Sequence, residues 1–321
     1  MNNLYISGSS GMVGSSLSRH FKSKNNYNLI TSNRSELNLL ERDKVDNFFV
    51  KNEIDYMIIA AAKVGGIWAN EKYPQEFIYE NLIIQNNLID AAFKNNVKKL
   101  IFLGSSCIYP KHANQPMKET ELLSGPLEET NEPYAIAKIA GIKLCESYNR
   151  QHDTDFRSLM PTNLYGPNDN FDIEKSHVIP ALIRKFHDAK INKDLSVSVW
   201  GSGKPFREFM HVDDLSEACS FVLDLSKEDF WRKVNPTCSH INVGYGSDIS
   251  IMDLSILIKQ IVGYKGQISF DISKKDGPPK KLLDISKLKS IGWSPNISLE
   301  DGLESVYQWF LESKLTFRGS K

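Results

Sequence analysis

Short apolar runs alternate with longer amphipathic stretches over the first half of the chain. The longer stretches carry apolar residues at helical spacing, whereas the short runs have the length of buried strands. Because strands that alternate with helices pair in parallel through right-handed crossovers, this pattern predicts an α/β fold built on a doubly wound parallel sheet. The predicted strands are Leu4 to Ser7, Leu29 to Thr31, Tyr56 to Ala61, Leu100 to Leu103 and Arg157 to Met160.

The pattern changes after Tyr165-Gly166-Pro167, where polar loops separate shorter elements. These elements predict a smaller α/β substrate-binding domain, so that residues 1–163 and about 211–246 form a nucleotide-binding domain and about 164–210 and 247–321 form the smaller one. The polar stretch from His187 to Lys193 is expected to be mobile. The elements predicted here are helices at Ile179 to Phe186, Ile251 to Ile261 and Leu299 to Phe310, and strands at Val197 to Trp200 and Ile268 to Phe270.

Charge and composition exclude several classes of partner. Lysine and arginine together number 39, as do aspartate and glutamate, so the overall charge favours neither nucleic acid nor an anionic membrane. The four cysteines have no CxxC spacing and no signal peptide precedes the first predicted strand, which favours a reducing, cytoplasmic compartment. The longest apolar runs are far shorter than a membrane span. Any site for an anionic ligand must therefore gather its positive charge locally.

A glycine-rich turn joins the first predicted strand to a helix. Its sequence is Gly8-Ser9-Ser10-Gly11-Met12-Val13-Gly14, and such a turn lets a pyrophosphate approach the backbone at the positive end of the helix. The sequence therefore predicts dinucleotide binding. The second predicted strand ends without an acidic residue until Glu36 and carries Arg34 instead, which favours a 2′-phosphate and hence NADP(H).

Three groups further along the chain can carry redox chemistry. Ser105 ends the fourth predicted strand, at the sheet edge where ligands bind. Tyr134 and Lys138 are four residues apart in a helix-compatible stretch, so their side chains project from one helical face. An ammonium beside a phenol lowers the pKa of the phenol, and a serine hydroxyl can orient a substrate oxygen. The set could protonate or deprotonate a carbonyl or alcohol oxygen while a nicotinamide exchanges hydride.

The segment His211-Val212-Asp213-Asp214 does not predict a metal site. No further ligand has suitable spacing, and hydride transfer to a ketone needs no metal when a tyrosine supplies the proton. We interpret the segment as the start of a helix that aspartate caps.

Four longer strings carry a family resemblance. They are Ala60-Ala61-Ala62-Lys63-Val64-Gly65-Gly66-Ile67, Gly104-Ser105-Ser106-Cys107-Ile108-Tyr109-Pro110, Asn131-Glu132-Pro133-Tyr134-Ala135-Ile136-Ala137-Lys138 and Met160-Pro161-Thr162-Asn163-Leu164-Tyr165-Gly166-Pro167. Together they resemble the GDP-L-fucose synthase family, which belongs to the extended short-chain dehydrogenase/reductases with their Rossmann-type fold. The resemblance continues through Trp200-Gly201-Ser202-Gly203 and Arg207-Glu208-Phe209, nearly from end to end.

The resemblance implies an activity and a role for each catalytic residue. The implied reaction is NADPH-dependent reduction of the C4 ketone of a GDP-4-keto-6-deoxy sugar after epimerisation at C3 and C5. Cys107 resembles the epimerisation base and His177 the acid, while Tyr134 protonates the C4 oxygen. Ser105 would orient the ketone, and Lys138 would hold the nicotinamide ribose. Inversion beside a ketone needs one group to remove a proton and another to return one on the opposite face.

The resemblance also implies a GDP-sugar site and a homodimer. Helices from Asn81 to Phe93 and from Ile136 to Tyr148 would pack across a two-fold axis. The expected cofactor-binding residues are Gly8, Ser9, Ser10, Gly11, Met12, Val13, Gly14, Arg34, Leu103, Gly104, Lys138, Pro161, Asn163, Leu164 and His177. The expected substrate-binding residues are Ser105, Ser106, Cys107, Tyr134, Asn163, Lys185, Trp200, Arg207, Asp276 and Lys281.

Three alternatives stay open at this point. Ser9-Ser10 stands where the family carries an arginine that helps to hold the 2′-phosphate, so Arg34 would act alone. A C4 reductase that acts on an already epimerised GDP-4-keto sugar, such as a heptose, would carry the same Ser, Tyr and Lys set. A non-catalytic NADP(H) sensor would share the fold, but it has no use for a tyrosine four residues before a lysine.

Overall fold

Six parallel strands form the central sheet of the computed structural model, which describes residues 1–173 and 176–313. The doubly wound parallel sheet expected from the sequence is confirmed. Of the six strands of this sheet, the one from His240 to Val243 was not predicted from the sequence, because its buried His240 and Asn242 interrupt the apolar run. In spatial order the strands are β10 (His240–Val243), β5 (Phe156–Pro161), β4 (Lys99–Leu103), β3 (Tyr56–Ile59), β1 (Asn2–Ser7) and β2 (Tyr27–Thr31).

Helices and short strands make up the rest of the described chain. The helices are α1 (Met12–Lys24), α2 (Arg42–Lys51), α3 (Ile67–Lys72), α4 (Pro74–Lys94), α5 (Glu132–His152), α6 (Val178–Asn192), α7 (Val212–Asp224), α8 (Lys227–Lys233), α9 (Ile251–Val262), α10 (Ser286–Ile291) and α11 (Leu299–Glu312), with 3₁₀ turns at Ser106–Ile108 and Glu119–Glu121. The remaining strands are β6 (Asn163–Tyr165), β7 (Ser196–Trp200), β8 (Phe206–Arg207), β9 (Phe209–His211), β11 (Ile249–Ser250), β12 (Gln267–Asp271) and β13 (Lys280–Lys281).

Two layers of helices cover the central sheet. Helices α2, α4 and α5 pack on one face, where they bury side chains such as Phe49 and Leu88. Helices α1 and α7 cover the other face with Leu17 and Val222. Each large apolar side chain buried in this way contributes about 1.5–3 kcal/mol to folding. The carboxyl ends of the parallel strands are left open at one edge, which is where ligands bind in folds of this class.

A close approach between α5 and β4 sets the position of Tyr134 and Lys138. A Cβ built on Gly141 of α5 would lie 2.4 Å from the Phe102 ring of β4, so the helix can rest on the strand only because residue 141 has no side chain. Ala135 and Ala137 of the same helix are also buried. The small residues thus bring the first turns of α5 against the end of β4.

A third core lies outside the central sheet. It gathers apolar residues of α6, α9 and α11 with those of β7 and β9. The stretch expected to be mobile forms the last turns of α6, where Ala189 is buried and His187 Nδ1 lies 3.1 Å from the Tyr307 hydroxyl. The stretch is helical up to Asn192, and its mobility stays a prediction. Later in the chain Leu288 and Trp293 pack beside the central sheet, and residues 314–321 lie outside the described part.

Two buried carboxylates close the sheet edge at β10. Glu119 Oε1 accepts a hydrogen bond from the backbone N–H of Asn242 at 3.1 Å, and Glu146 Oε1 accepts one from Ser239 at 2.9 Å. An edge strand otherwise presents unpaired backbone donors to solvent. Both glutamates are buried, so these donors are satisfied within the protein.

In the described ranges, no helix is both long enough and apolar enough to cross a membrane.

Candidate active site

The glycine turn between β1 and α1 has the backbone geometry of an anion cradle. Gly8 has a φ of +73°, and a Cβ there would lie 2.8 Å from the backbone of Ala61. A Cβ on Gly14 would lie 2.1 Å from the carbonyl oxygen of Gly8. Gly11 precedes α1 and offers no side-chain cap to its first N–H groups, which can therefore donate to a phosphate. These residues fit a dinucleotide pyrophosphate.

The end of β2 is held beside this turn. Ser9 Oγ donates to the carbonyl oxygen of Ser32 at 3.3 Å, and the Ser32 hydroxyl lies 2.9 Å from the Tyr5 hydroxyl. Arg34 follows two residues later with an exposed side chain, and Ser10 is exposed in the turn. The geometry leaves Arg34 accessible to a 2′-phosphate, and its role stays a prediction.

The catalytic candidates Ser105 and Cys107 stand at the carboxyl end of β4. Ser105 Oγ accepts a hydrogen bond from the Cys107 N–H at 3.4 Å and so begins the short 3₁₀ turn Ser106–Ile108. Gly104 permits the approach of β5, since a Cβ on it would lie 2.3 Å from the sulfur of Met160. Ser106 and Cys107 are buried, whereas Ser105 is partly exposed.

Lys138 interacts with the strand end rather than with the phenol. Its Nζ donates to the Leu103 carbonyl oxygen at 2.8 Å and lies 5.8 Å from the centroid of the Tyr134 ring. Burial lowers the pKa of Lys138 to about 8. Burial also raises the pKa of Tyr134, and the neighbouring Cys107 raises it further. The expected lowering of the Tyr134 pKa by Lys138 is therefore absent in this geometry, because the ammonium points at a carbonyl.

Two residues of α4 that sequence reasoning missed support this site. Phe77 packs edge-on against the Tyr134 ring at a centroid distance of 6.3 Å. Asn81 bonds both backbone groups of Lys63, accepting from its N–H and donating to its carbonyl oxygen, each at 3.0 Å. It therefore fixes the loop that follows β3. A buried asparagine on the apolar face of an amphipathic helix is the one sequence signal that could have indicated this role.

Cys107 lies among charged groups from separate parts of the chain. Burial raises the pKa of its thiol, while the Ser105 hydroxyl and the ammonium groups of Lys281 and Lys138 oppose that effect. Two lysines thus act on one buried sulfur. The structure brings together Ser105, Cys107, Tyr134 and Lys138, as the sequence analysis expects.

His177 occupies a different environment from the other catalytic candidates. It is the residue before α6, its side chain is exposed, and its carbonyl oxygen accepts from the Ala181 N–H at 3.1 Å. Among the hydrogen bonds of the described residues, none joins His177 to Cys107 or Tyr134. Its catalytic role stays a prediction that this geometry leaves open.

The cationic and aromatic side chains expected to bind substrate lie on α6, β7, β8 and β13. Lys185 Nζ donates to the Ser198 carbonyl oxygen at 3.1 Å and lies 4.9 Å from the centroid of the Trp200 ring, which is 47% exposed. Arg207 Nη1 donates to the carbonyl oxygens of Phe206 and Pro278, each at 2.7 Å. Lys281 pairs in register with Arg207, and burial lowers the pKa of its ammonium.

The carboxylate of Asp276 forms hydrogen bonds with another loop of the same chain. Its oxygens accept from the N–H of Ser202 at 2.9 Å and from the Ser202 hydroxyl at 2.6 Å. A Cβ on Gly201 would lie 2.4 Å from Asp276 Oδ1, so the turn approaches the carboxylate closely. Asp276 therefore ties its own loop to the turn after Trp200, and a contact with substrate stays a prediction.

The residues after β5 contact the segment that carries Arg207. Pro161 is buried at the end of β5, and Leu164 packs on the core beneath the glycine turn. Asn163 Nδ2 donates to the Glu208 carbonyl oxygen at 2.8 Å. The position of Asn163 is therefore set by the segment that carries Arg207.

His211, rather than an aspartate, caps α7. Its Nδ1 accepts from the Asp213 N–H at 3.2 Å, so the expectation of an aspartate cap is wrong. The carboxylate of Asp214 instead accepts hydrogen bonds from the N–H groups of Asn296 and Ile297, both at 3.1 Å. Among residues 1–173 and 176–313, no three His, Cys, Asp or Glu side chains converge as they would around a metal ion.

A parallel sheet with a glycine turn at its first strand and a serine, tyrosine and lysine at one edge defines a nucleotide-dependent oxidoreductase or epimerase. The chain belongs to the NAD dependent epimerase/dehydratase family, whose model matches residues 4–244.

Within that family, this chain is similar to enzymes of GDP-sugar metabolism. It is 56% identical over 316 residues to the GDP-L-fucose synthase of Escherichia coli (strain K12), and the match covers 98% of each chain. The structure of a GDP-6-OMe-4-keto-L-xylo-heptose reductase from C. jejuni superposes with a TM-score of 0.92 at 37% identity, over 97% of this chain and 98% of that one. The NADP-bound GDP-mannoheptose C4 reductase MlghC from Campylobacter jejuni gives a TM-score of 0.87 at 38% identity, with the same coverage.

Proposed function

We propose that this protein reduces the C4 ketone of a GDP-4-keto-6-deoxy sugar with NADPH and epimerises C3 and C5 beforehand, giving GDP-L-fucose or a close analogue. The observation that carries the proposal is the shared position of Ser105, Cys107, Tyr134 and Lys138 at the end of β4. The GDP-L-fucose synthase and the two GDP-sugar reductases among the similar proteins support this class of substrate.

NADP(H) is the cofactor of the proposed reaction, and when bound it supplies the hydride that C4 receives. Gly8, Gly11 and Gly14 would hold the pyrophosphate against the first turn of α1, and Arg34 would pair with the 2′-phosphate. Lys138 would hold the nicotinamide ribose. The NADP-bound reductase from Campylobacter jejuni supports this choice of cofactor.

Tyr134 and Ser105 act on the oxygen at C4. The raised pKa of Tyr134 keeps its phenol protonated near neutral pH, as a group that donates a proton to the new alkoxide requires. Ser105 donates a hydrogen bond to the ketone oxygen and so polarises it before reduction. In this geometry the Lys138 ammonium donates to the Leu103 carbonyl oxygen, so its proposed role is to hold the nicotinamide ribose rather than to charge-stabilise Tyr134.

Cys107 and His177 carry out the epimerisation. The hydrogens at C3 and C5 are acidified because each carbanion is delocalised into the C4 ketone as an enolate. Cys107 removes these protons as a thiolate, and Lys138 and Lys281 offset part of the burial that raises the pKa of its thiol. His177 returns a proton on the opposite face of the ring, which inverts the carbon.

The GDP moiety binds beside the cations of α6, β8 and β13. Arg207, Lys185 and Lys281 provide positive charge for its two phosphates, which a protein without net charge must supply locally. The exposed ring of Trp200 offers an aromatic surface to the nucleotide.

The test is turnover of GDP-4-keto-6-deoxy-D-mannose with NADPH in D₂O, with the product analysed by NMR. The proposal predicts deuterium at C3 and C5 and protium at C4, because only the C4 hydrogen comes from the cofactor. Cys107→Ser should abolish the deuterium at both carbons. Cys238→Ser is the matched control, since Cys238 is a half-buried cysteine outside the site, and it should behave like the unaltered protein. A product without deuterium would refute the epimerisation step.

A second candidate is C4 reduction alone, on a GDP-4-keto sugar that is already epimerised. It is favoured by the close superposition on the GDP-6-OMe-4-keto-L-xylo-heptose reductase and by the exposed position of His177. It predicts that the unaltered protein incorporates no deuterium and that Cys107→Ser reduces an epimerised substrate at an undiminished rate. The same D₂O experiment therefore separates the two candidates.

We also propose that the protein is a homodimer in which α4 and α5 of one copy pack against those of another. Tyr79 on α4 is 56% exposed and Ile136 on α5 is 39% exposed, so apolar surface remains on both helices. Sedimentation equilibrium at micromolar concentration should give twice the chain mass. A single species of monomer mass would exclude this assembly.

A further inference from the structure

Glu208 is a fully buried carboxylate that none of the proposed chemical steps uses. Its relative exposure is 0%, and it directly follows β8, the central strand of the small sheet β11-β8-β13. One oxygen, Oε1, accepts from the Gly246 N–H at 2.7 Å. The other, Oε2, accepts from the Leu283 N–H at 3.0 Å. A single side chain therefore accepts hydrogen bonds from the segments on both sides of the central strand.

The two segments that Glu208 binds adjoin the strands on either side of Arg207. Gly246 lies in the turn before β11, where Ile249 pairs with Arg207, and Leu283 closely follows Lys281 of β13. Each of these strands has only two residues, so the ladder between them contributes few hydrogen bonds. The carboxylate supplies the connection that longer strands would otherwise provide.

The backbone of Glu208 extends this connection to the residues that follow β5. Its N–H donates to the Lys281 carbonyl oxygen at 3.2 Å. Its own carbonyl oxygen accepts from Asn163 Nδ2 at 2.8 Å and from the Thr162 hydroxyl at 3.3 Å. One residue thus touches the chain at the end of β5, at the turn before β11 and after β13.

We infer that Glu208 is a positioning residue for the nucleotide-sugar site, because its carboxylate holds Arg207 and Lys281 at the mutual spacing that binds the diphosphate. The inference rests on the proposed function, in which these two cations bind the GDP moiety. Glu208 itself touches neither cation through its carboxylate, so its effect on binding is transmitted by the backbone of β11 and β13.

The residues around the Glu208 carboxylate leave room for it. A Cβ on Gly244 would lie 2.4 Å from Glu208 Oε1, so residue 244 must lack a side chain for the carboxylate to reach the turn. Burial raises the pKa of Glu208, and the N–H groups of Gly246 and Leu283 oppose that rise. Amide replacement would set a donor against one of these N–H groups and leave a buried donor unsatisfied.

The inference is tested with Glu208→Gln, by isothermal titration with GDP and by steady-state kinetics with the GDP-4-keto sugar. Loss of one hydrogen bond to a charged group corresponds to a factor of about 10 to about 100 in affinity. We expect GDP binding to weaken and KM for the sugar to rise by that factor. The Kd for NADPH should stay within about twofold, because the glycine turn proposed to hold the cofactor lies on other elements.

Asp214→Asn is the matched control. Asp214 is also buried, at 1% exposure, and also accepts from two backbone N–H groups, but it holds the chain after α10 to α7. We expect this variant to lower the thermal midpoint while GDP binding stays within about twofold of the unaltered protein. Gly244→Ala is a second test variant, which keeps the carboxylate but displaces it, and it should show the same selective loss of GDP affinity.

The outcomes separate the inference from the function on which it rests. An unaltered protein that binds NADPH but not GDP would overturn the proposed function and the inference with it. An unaltered protein that binds GDP, together with Glu208→Gln or Gly244→Ala variants that bind it within about twofold, would overturn the inference alone. Equal losses of GDP and NADPH affinity in Glu208→Gln would also overturn it, since they would indicate a general loss of structure.

Discussion

Replacing Gly14 with alanine adds a single methyl group at the tightest point of the glycine turn. The new Cβ would lie 2.1 Å from the Gly8 carbonyl oxygen and 2.7 Å from the Ser9 Cα, whereas ordinary contact begins at 3.4 Å. All the atoms it meets belong to the backbone, so no side chain can rotate away. The same Gly8 oxygen accepts from the Gly11 N–H at 3.0 Å, and the turn cannot move without lengthening that bond.

The expected cost follows from overpacking a rigid site, which destabilises proteins by about 1–3 kcal/mol. For a chain of this size we expect a thermal midpoint at least about 2 °C lower in the absence of cofactor, measured by circular dichroism. The Kd for NADPH, measured by fluorescence titration, should rise at least about tenfold because the displaced turn no longer presents its N–H groups to the pyrophosphate.

Gly11→Ala is the control within the same turn. Its Cβ would lie 3.5 Å from the Gly8 oxygen, which is an ordinary contact, so the thermal midpoint without cofactor should stay within about 1 °C of the unaltered protein. If Gly14→Ala melts at the same temperature as Gly11→Ala, the steric reasoning is refuted, whatever the two variants do to cofactor binding.

Two further predictions concern the catalytic pair. Tyr134→Phe should lower kcat by a factor of about 10² to 10⁴ while the Kd for NADPH stays within about twofold, and a kcat within threefold of the unaltered protein would exclude a proton-donor role. Lys138 has a pKa lowered from 10.5 to about 8, so at higher pH the unfolded chain retains a proton that the folded protein has lost, and stability rises with pH. Below pH 8 the lysine is protonated in both states and its burial cost is complete. Urea unfolding from pH 8 to about 10 should therefore show the unaltered protein gaining about 2 kcal/mol relative to Lys138→Met, and parallel curves for the two proteins would contradict the shift.

Features that depend on neighbouring residues could be predicted from the sequence. The turn from Gly8 to Gly14 is specified by a strand, three glycines and a helix within one short segment. Tyr134 and Lys138 share a helix face because their spacing requires it, and Ser105 joins them because parallel strands end at the same edge. Each of these inferences needs only local periodicity and the handedness of the crossovers.

Features that depend on contacts between distant segments could not be predicted. Nothing near Glu208 in the sequence indicates that Gly246 and Leu283 bring their N–H groups to its carboxylate. The direction of the Lys138 ammonium depends on the Leu103 carbonyl oxygen, 35 residues earlier, so helix spacing alone gave the wrong effect on the Tyr134 pKa. Asp276 likewise has a plausible place in a binding loop, but its partner, Ser202, is 74 residues away.

The carboxylates at β10 have a consequence for how the protein can assemble. A strand from a second chain that approached this edge would meet Glu119 and Glu146 in place of free N–H donors, and it would have to displace both buried charges before any pairing formed. These two carboxylates therefore oppose the formation of a continuous sheet between two copies at this edge. Copies of the protein that associate there must do so through side-chain contacts. The identity of the surface side chains, rather than backbone pairing, then determines which partners bind.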